Sequence, residues 1–328
     1  SAQRQLTPNM LIDVAYVGNH SLKLLLFADI NQARPNNPGE NASLQARRPI
    51  STFSAISTGF PVGLSNYHGL QVKFERRMNR GLYVLNSFTW SKAIDNVSQA
   101  LEDPNGNSAN PQNFRNLRAE RGLSAYDQPF NNTTSVVWEA PIGKGRKWGS
   151  NLPTALDYFV GGWGVSAINQ LTSGQVINLR YTSIPAAYQV TAALAPWQGG
   201  VSFRPNIYGD IYAPKDQRTI DNYFNRATVF AANDPAQPGG ADPSRPFGSA
   251  GRNIGRSHAF YQLDLGLHKS VPLPINETTR VEFRAEFFNL LNKTNFRAAN
   301  PDRSSAAFGR ISSTFPARQI QFALKVVF

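Results

Sequence analysis

The sequence predicts an all-β fold, because apolar and polar residues alternate strictly in several separate segments. The C-terminal segment shows this most clearly, with one continuous apolar face formed by Ile320, Phe322, Leu324, Val326 and Phe328. Residues 280–287 alternate just as regularly, and no comparably long segment repeats with the 3.6-residue period of a helix. Alternation with a period of two indicates strands that have one apolar and one polar face.

About nine strands follow from this pattern. Residues 10–16, 70–74 and 263–267 alternate regularly, and four further segments alternate less regularly. In chain order the predicted strands lie within residues 1–6, 10–16, 70–74, 81–92, 129–140, 158–171, 263–267, 280–287 and 318–328. Residues 175–181 are a candidate for the first strand of one extra pair.

The connections between these strands alternate in length. Short or moderate connections at 7–9, 78–81, 141–157 and 270–279 alternate with long ones at 18–64, 95–128, 172–257 and 292–317. An antiparallel meander with short turns at one end and long loops at the other is typical of an up-and-down transmembrane β-barrel. Strands of about 10 residues suit a tilted crossing of the bilayer. A soluble β-sandwich has the same alternation but no reason to sort its loops in this way.

Composition excludes several other classes of protein. The chain has 328 residues with 41% hydrophobic residues and a net charge of +12. No apolar run approaches the ~18 residues of a membrane-spanning helix. With no cysteine there is no disulfide, thiolate nucleophile or zinc finger. Basic residues are spread along the chain rather than clustered with aromatic residues, so we expect no nucleic-acid partner.

No arrangement of residues indicates an enzyme. The four histidines lack the spacing of a helical metal site, and we expect no cofactor and no metal. Asp264 and His268 share one strand face, which loosely suggests an acid and base pair, but we interpret them as wet residues of a barrel lumen. The larger set of predicted lumen-facing side chains is charged or polar and consists of Lys73, Glu75, Asp264, His268, Arg280, Glu282, Arg284, Glu286 and Lys325.

These charges have two interpretations, a cross-strand ladder or a surface that contacts a plug inside the barrel. The long loops also carry aromatic residues that either capture a ligand or pack the loop on itself, namely Trp197, Tyr208, Tyr212, Tyr223 and Phe224. Arg115, Arg118 and Arg121 are either solvated or in contact with lipopolysaccharide phosphates.

Several phrases of the sequence resemble one known family. The final amphipathic strand ending in Phe328 is similar to the signal read by the outer-membrane barrel assembly machinery. The phrases SNYHGLQV at 65–72, FTWSKAID at 88–95 and FRAEFFNLLN at 283–292 resemble the C-terminal barrel of TonB-dependent receptors, particularly the Oar-like branch. Shorter similar phrases lie at 3–6, 14–18, 75–77, 120–122, 126–127, 141–145, 248–253 and 308–311, so the resemblance covers essentially the whole chain.

The resemblance implies a 22-stranded barrel with an N-terminal plug, energised through TonB. Residues 1–328 contain about nine predicted strands and no plug, so we expect the C-terminal part of such a receptor in a Gram-negative outer membrane. The implied partners are outer-membrane lipid and lipopolysaccharide, the barrel assembly machinery, the plug, TonB and a scarce solute. The alternatives are an all-β surface adhesion protein that is not an enzyme, or a small outer-membrane pore.

Overall fold

The regular secondary structure of the described chain consists almost entirely of antiparallel strands. The computed structural model describes residues 1–37, 39–98, 111–182, 203–232, 234–242, 244–273 and 279–328. Its long strands are β1 (Ala2–Thr7), β2 (Met10–Asp29), β3 (Ser57–Asn79), β4 (Leu82–Asp95), β6 (Phe130–Glu139), β7 (Trp163–Thr172), β12 (Phe260–Pro272), β13 (Arg280–Phe288) and β14 (Gln319–Val327). Its two-residue strands are β5 (Gly122–Leu123), β8 (Val176–Ile177), β9 (Asn206–Ile207), β10 (Val229–Phe230) and β11 (Gly255–Arg256). The helices are α1 (Thr154–Val160) and two 3₁₀ turns at Gln45–Arg47 and Leu117–Glu120.

The long strands form one meandering sheet. Across the described residues its order is β1-β2-β3-β4-β6-β7-β12-β13-β14, and β5 pairs with the C-terminal end of β4. Every pairing in this sheet is antiparallel, as the alternation predicts. Each of the nine predicted strands corresponds to one strand on this path. The sheet is open, with β1 and β14 at its two edges.

Two strands are much longer than predicted. β2 has 20 residues and β3 has 23, so the connection predicted at 18–64 shrinks to residues 30–56. A bulge between Ser21 and Leu24, with Lys23 at a φ of 57°, shifts the register and breaks the alternation of side chains. Pairing resumes beyond the bulge and continues to Asp29 opposite Ser57.

Two other expectations need correction. Residues 158–160 belong to α1 rather than to a strand, and β7 begins only at Trp163. The candidate extra strand at 175–181 is reduced to β8, which pairs with β11 outside the main sheet. Because β7 pairs directly with β12, the long and short connections still alternate from one end of the sheet to the other.

The turn between β3 and β4 is a tight hairpin. Arg80 has a φ of 53° and Gly81 a φ of 78°, the backbone conformation of a type I′ turn. A Cβ on Gly81 would also lie 2.6 Å from the carbonyl oxygen of Glu139. Glycine is therefore required at this position both by the backbone and by the neighbouring strand.

Most of the buried apolar core lies in the long loops rather than on the sheet. We use "loop layer" for residues 30–56, 96–129, 173–259 and 289–318, so far as the structure describes them. Its largest cluster joins residues of two loops, namely Ile177, Leu179, Tyr223, Phe224, Val229, Ala299, Phe308 and Ile311. A second cluster packs Leu26 and Ala28 of β2 against Val97.

In the described part of the chain, no helix has the length and apolar character needed to cross a membrane.

Candidate functional site

One face of the sheet carries the predicted charged residues. Lys73 lies opposite Ser87 of β4, and the register continues through Thr133 and Gln170 to Gln262 of β12. On the other half of the sheet, His268 lies opposite Arg284 of β13. Directly opposed residues share a face in an antiparallel sheet. The register thus brings together Lys73, Glu75, Asp264, His268, Arg280, Glu282, Arg284, Glu286 and Lys325 on one face, which we call the polar face.

Ion pairs on the polar face form a ladder along β13. The Arg280 Nε lies 2.8 Å from Glu282 Oε1, and Arg284 Nη2 lies 3.6 Å from Glu282 Oε2. On β3, Lys73 Nζ lies 3.1 Å from Glu75 Oε2. These arginine and lysine side chains are about half exposed, so solvent screens each pair and its contribution to stability is small.

The ladder borders a recess of about 280 Å³ on the same face, between β7, β12 and β13. Its lining includes His268, Glu282, Arg284 and Glu286. The imidazole of His268 lies directly over Gly164, where a Cβ would overlap the ring.

The carboxylate of Asp264 is hydrogen-bonded by residues other than His268. Asp264 accepts hydrogen bonds of 2.9 and 3.0 Å from the side-chain amide of Gln262, and one of 2.8 Å from the backbone N–H of Asn289. Its carboxylate is thus held by neighbours other than His268. The interpretation of both residues as water-exposed residues of a lumen wall stays a prediction.

The opposite face of the sheet is apolar. Ile12, Val14 and Tyr16 of β2 lie opposite Phe74, Val72 and Leu70 of β3. The predicted assembly-signal residues of β14 lie on this apolar face as well, because Phe322 and Leu324 oppose Ala285 and Phe283. All the members of that set are exposed at the open edge of the sheet, namely Ile320, Phe322, Leu324, Val326 and Phe328.

Buried ion pairs hold the loop layer together. Four almost fully buried carboxylates, two at the last residues of β2 and β4 and two in the loop layer, each bind an arginine of the loop layer, in the pairs Asp29–Arg48, Asp95–Arg252, Glu120–Arg204 and Asp127–Arg256. Burial lowers the pKa of Arg252 to about 10, which still leaves the group charged at neutral pH. The sequence distances spanned by three of these pairs, from 84 to 157 residues, show that they join segments far apart in the chain.

The Glu120–Arg204 pair has the most complete geometry. Arg204 Nη1 lies 2.7 Å from Glu120 Oε2, and Arg204 Nη2 lies 3.1 Å from Oε1. The same guanidinium donates to the carbonyl oxygens of Ala119 and Ala250, while Glu120 Oε1 accepts from the backbone N–H of Gln112. Such a bidentate, fully partnered pair fixes the position of both chain segments.

The loop aromatic residues divide into different environments. Tyr223 and Phe224 are 5% and 1% exposed and form part of the largest apolar cluster, which leaves their rings no surface for a solute. Their burial is what the packing alternative expects. Tyr212 packs against the same cluster, and Tyr208 is exposed beside Phe230. Trp197 lies outside the described residues.

A second recess, of about 250 Å³, lies where the polar face meets the loop layer; we call it the mouth recess. Its sheet residues are Gln170, Thr172 and Phe260, which share the polar face. Its loop residues are mostly polar or aromatic, and include Gln128, Gln175, Ser257, His258, Phe296, Arg297 and Phe315. The sequence offered no signal for this site, because its residues come from four distant segments.

Aromatic packing shapes the mouth recess. Phe260 and Phe315 meet edge to face with centroids 5.0 Å apart, and the Arg297 guanidinium lies 4.5 Å over the Phe315 ring. The ring of His258 packs between Tyr223 and Phe296, tilted by about 50° to each. Burial, together with the nearby charge of Arg218, lowers the pKa of His258 and favours its neutral form.

In the described residues no three His, Asp or Glu side chains are grouped so that they could hold a metal ion. The two recesses are lined by hydrogen-bonding groups, aromatic rings and charged side chains.

Comparison with known proteins identifies the family. Residues 1–321 match the family model described as an outer membrane beta barrel domain. No curated protein matches. Among solved structures, the outer membrane transporter YddB from Escherichia coli is similar over 99% of this chain and 31% of its own, with 10% identity and a TM-score of 0.45. BauA, the ferric preacinetobactin receptor from Acinetobacter baumannii, is similar over 99% of this chain and 28% of its own, with 10% identity and a TM-score of 0.44.

The family match covers nearly the whole chain and agrees with the all-antiparallel sheet, its sorted connections and its single apolar face. It places the chain in the outer membrane of a Gram-negative cell. The chain spans less than a third of the two solved transporters. The protein belongs to the family of outer membrane beta barrel domains.

Proposed function

We propose that this chain is the C-terminal part of the barrel of a TonB-dependent receptor of the Oar-like branch. The loop layer faces the exterior and captures a scarce solute, and the polar face lines the lumen through which the solute passes. A plug and TonB, contributed by other parts of the receptor, gate and energise this passage. The chain performs no covalent chemistry.

The mouth recess is the observation that carries this proposal. It lies between the loop layer and the polar face, so a solute held there is already at the entrance of the lumen. Gln170 and Thr172 project from the sheet, while His258 and Phe296 come from two loops. Amide and hydroxyl groups beside aromatic rings offer hydrogen bonds together with apolar contact, which is a common composition of small-molecule sites.

The buried ion pairs support capture by a preformed surface. Arg204 and Arg252 each tie a distant loop segment to a carboxylate with almost no solvent exposure. A surface that is already ordered loses less conformational entropy when it binds a solute. This ordering distinguishes the loop layer from flexible connections.

The charge ladder gives the polar face a second role. Arg280 and Arg284 each keep about half of their side-chain surface exposed beside Glu282. We propose that these arginines contact the plug in the assembled receptor. Ile320, Phe322 and Phe328 serve as the signal recognised by the barrel assembly machinery.

Energised uptake tests the proposal. Cells that carry or lack the native protein are supplied with limiting amounts of ferric siderophores, oligosaccharides or peptides, with and without a protonophore. We expect uptake of one solute class that requires both the protein and the proton-motive force, and a Gln170→Ala, Phe260→Ala variant that raises the solute concentration needed for half-maximal uptake. Gln128→Ala, in the same recess, measures how far the loop contributes.

Two other results would contradict this function. Ion conductance through the purified protein that needs no energy source would identify a small open pore. Loss of cell-surface attachment in the deletion strain, with uptake of every solute class unchanged, would identify an adhesion protein.

A further inference from the structure

The connection between β6 and β7 exposes an apolar helix face. Leu156, Phe159 and Val160 of α1 follow the i, i+3, i+4 spacing of a single helical stripe, and all three are exposed, Phe159 by 76%. In a water-soluble protein such a stripe faces a core. Here the rest of the described chain leaves it uncovered.

The contacts of α1 place its C-terminal end on the apolar side of the sheet. Trp163 of β7 and Lys269 of β12 are directly opposed, on the same face as Leu265 and Leu267. The indole Nε1 of Trp163 donates to the carbonyl oxygen of Phe159 at 2.9 Å. Lys269 Nζ donates to the carbonyl oxygens of Phe159 at 3.2 Å and Gly161 at 2.5 Å.

Lys269 thus has an unusual position for a charged residue. It extends from the apolar face, with its ammonium 4.9 Å from the centroid of the Trp163 ring, to the carbonyl end of the helix. A cation at this end is favoured by the helix dipole and by the free carbonyl groups. Lysines near the edge of a membrane direct their charged group to the interface in the same way.

The preceding turn holds α1 rigidly in this position. The backbone N–H of Lys144 donates to Asp157 Oδ1 at 2.6 Å, and Asp157 lies outside the stripe. The backbones of Gly143 and Trp148 are also joined by a hydrogen bond of 2.9 Å. The turn adds further interfacial residues, because Trp148 is exposed and Lys147 lies 5.3 Å over its ring.

We propose that α1 and this turn form an interfacial anchor at the end of the sheet opposite to the loop layer. The stripe of Leu156, Phe159 and Val160 inserts among the acyl chains of the phospholipid leaflet at that end. Lys144 and Lys147 lie at the level of the headgroup phosphates, with Trp148 and Trp163 between the two zones.

Two features identify phospholipid as the occupant. The stripe is continuous with the apolar face of the sheet through Trp163, and that face meets lipid in an outer membrane barrel. Tryptophan, lysine and short apolar stripes are also the composition of helices that lie in a membrane interface. The inference rests on the membrane position of the sheet and is independent of any solute.

Site-directed spin labelling tests this anchor. The chain holds no cysteine, so a single introduced cysteine gives one labelling site within it. Labels at Phe159→Cys and Leu156→Cys test the stripe, and Thr154→Cys tests the opposite side of the same helix. Phe53→Cys is the matched control, because Phe53 is a 59% exposed phenylalanine in the loop layer.

The native protein is reconstituted in vesicles of phosphatidylethanolamine and phosphatidylglycerol. We expect labels at 156 and 159 to collide preferentially with oxygen, which dissolves in the acyl region, and the label at 53 to collide preferentially with a water-soluble nickel chelate. The label at 154 should be more accessible to nickel than that at 159.

Two outcomes would overturn the inference. Nickel accessibility at 156 and 159 equal to that at 53 would place the stripe in water. Labels that are immobilised and shielded from both oxygen and nickel would show that protein, not lipid, covers the stripe.

Discussion

Replacing Arg204 by alanine should open the loop layer without unfolding the sheet. The side chains of Arg204 and Glu120 are 3% and 4% exposed, and the guanidinium makes two hydrogen bonds to the carboxylate. Removing the arginine leaves a carboxylate buried without its counter-ion, together with the carbonyl oxygens of Ala119 and Ala250 that it had satisfied.

The expected cost follows from this burial. Breaking a buried pair by removing one partner costs about 3–5 kcal/mol, because the remaining charge is uncompensated. Since each 1.4 kcal/mol is a factor of ten, the open population of the layer should rise by roughly a hundredfold to several thousandfold. The double variant Arg204→Met, Glu120→Leu removes both charges and should recover most of the loss.

Hydrogen exchange read by mass spectrometry measures this directly. Peptides containing Glu120 and Ala250 should lose protection in Arg204→Ala, whereas peptides from β12 and β13 should not. Arg245→Ala is the control. Its guanidinium is 84% exposed and lies 3.5 Å from a half-exposed Asp242, so its loss should change protection by less than about 1 kcal/mol.

The reasoning is refuted if Arg204→Ala and Arg245→Ala have the same small effect on exchange. It is also refuted if the double variant is as open as the single one, since the cost would then not come from an uncompensated charge.

Three further predictions concern the turn, the mouth recess and the C-terminus. Gly81→Ala should lower the free energy of unfolding by about 1–2 kcal/mol in urea titrations, because alanine resists a positive φ and meets a neighbouring carbonyl, whereas Arg80→Asn should raise it slightly. The pKa of His258 lies below its ordinary value of 6.5, so the loop layer should have its full stability above that pH and lose stability as pH falls through the window below it. Exchange rates measured against pH should show this loss, and His258→Gln should abolish it. Phe328→Asn should reduce the folded protein recovered from outer membranes, whereas Val327→Asn, on the polar face, should not; equal recovery would contradict the assembly role of Phe328.

Alternation predicted the sheet well because a strand encodes its two faces locally. Odd or even position determines which of a strand's two faces a side chain occupies, and polar residues mark the face toward water. The sequence alone therefore places Arg284 and His268 on the same face of the sheet. The tight Arg80–Gly81 turn then fixes the register of β3 and β4. Alternation does not predict the C-terminal part of β2. A bulge at Lys23 shifts the side chains beyond it to the opposite face, so the apolar and polar residues no longer alternate across it.

The helix α1 was missed for a different reason. Its stripe consists of Leu156, Phe159 and Val160 alone, and a helix of 7 residues is too short to establish a 3.6-residue period. Its position depends on Lys269, which lies 108 residues away from the carbonyl of Gly161 that it binds. The sequence around α1 does not indicate that Lys269 binds this carbonyl.

The packing of the loop layer could not be predicted from the sequence either, because its contacts join residues that are far apart in the chain. Glu120 and Arg204 are 84 residues apart, and nothing near either residue specifies the other. The sequence left open whether Tyr223 and Phe224 capture a solute or pack inward. Both are buried because a layer of this size needs an apolar core of its own.

Thiol accessibility along β13 tests the central claim most directly, namely that this sheet is a membrane wall with one face toward lipid and one toward water. Single cysteines at Phe283, Arg284, Glu286 and Phe287 are exposed to a membrane-impermeant maleimide in intact outer membranes. The account predicts labelling at 284 and 286, and protection at 283 and 287 until detergent is added. Equal labelling at all four positions would contradict it, because the apolar face would then be in contact with water.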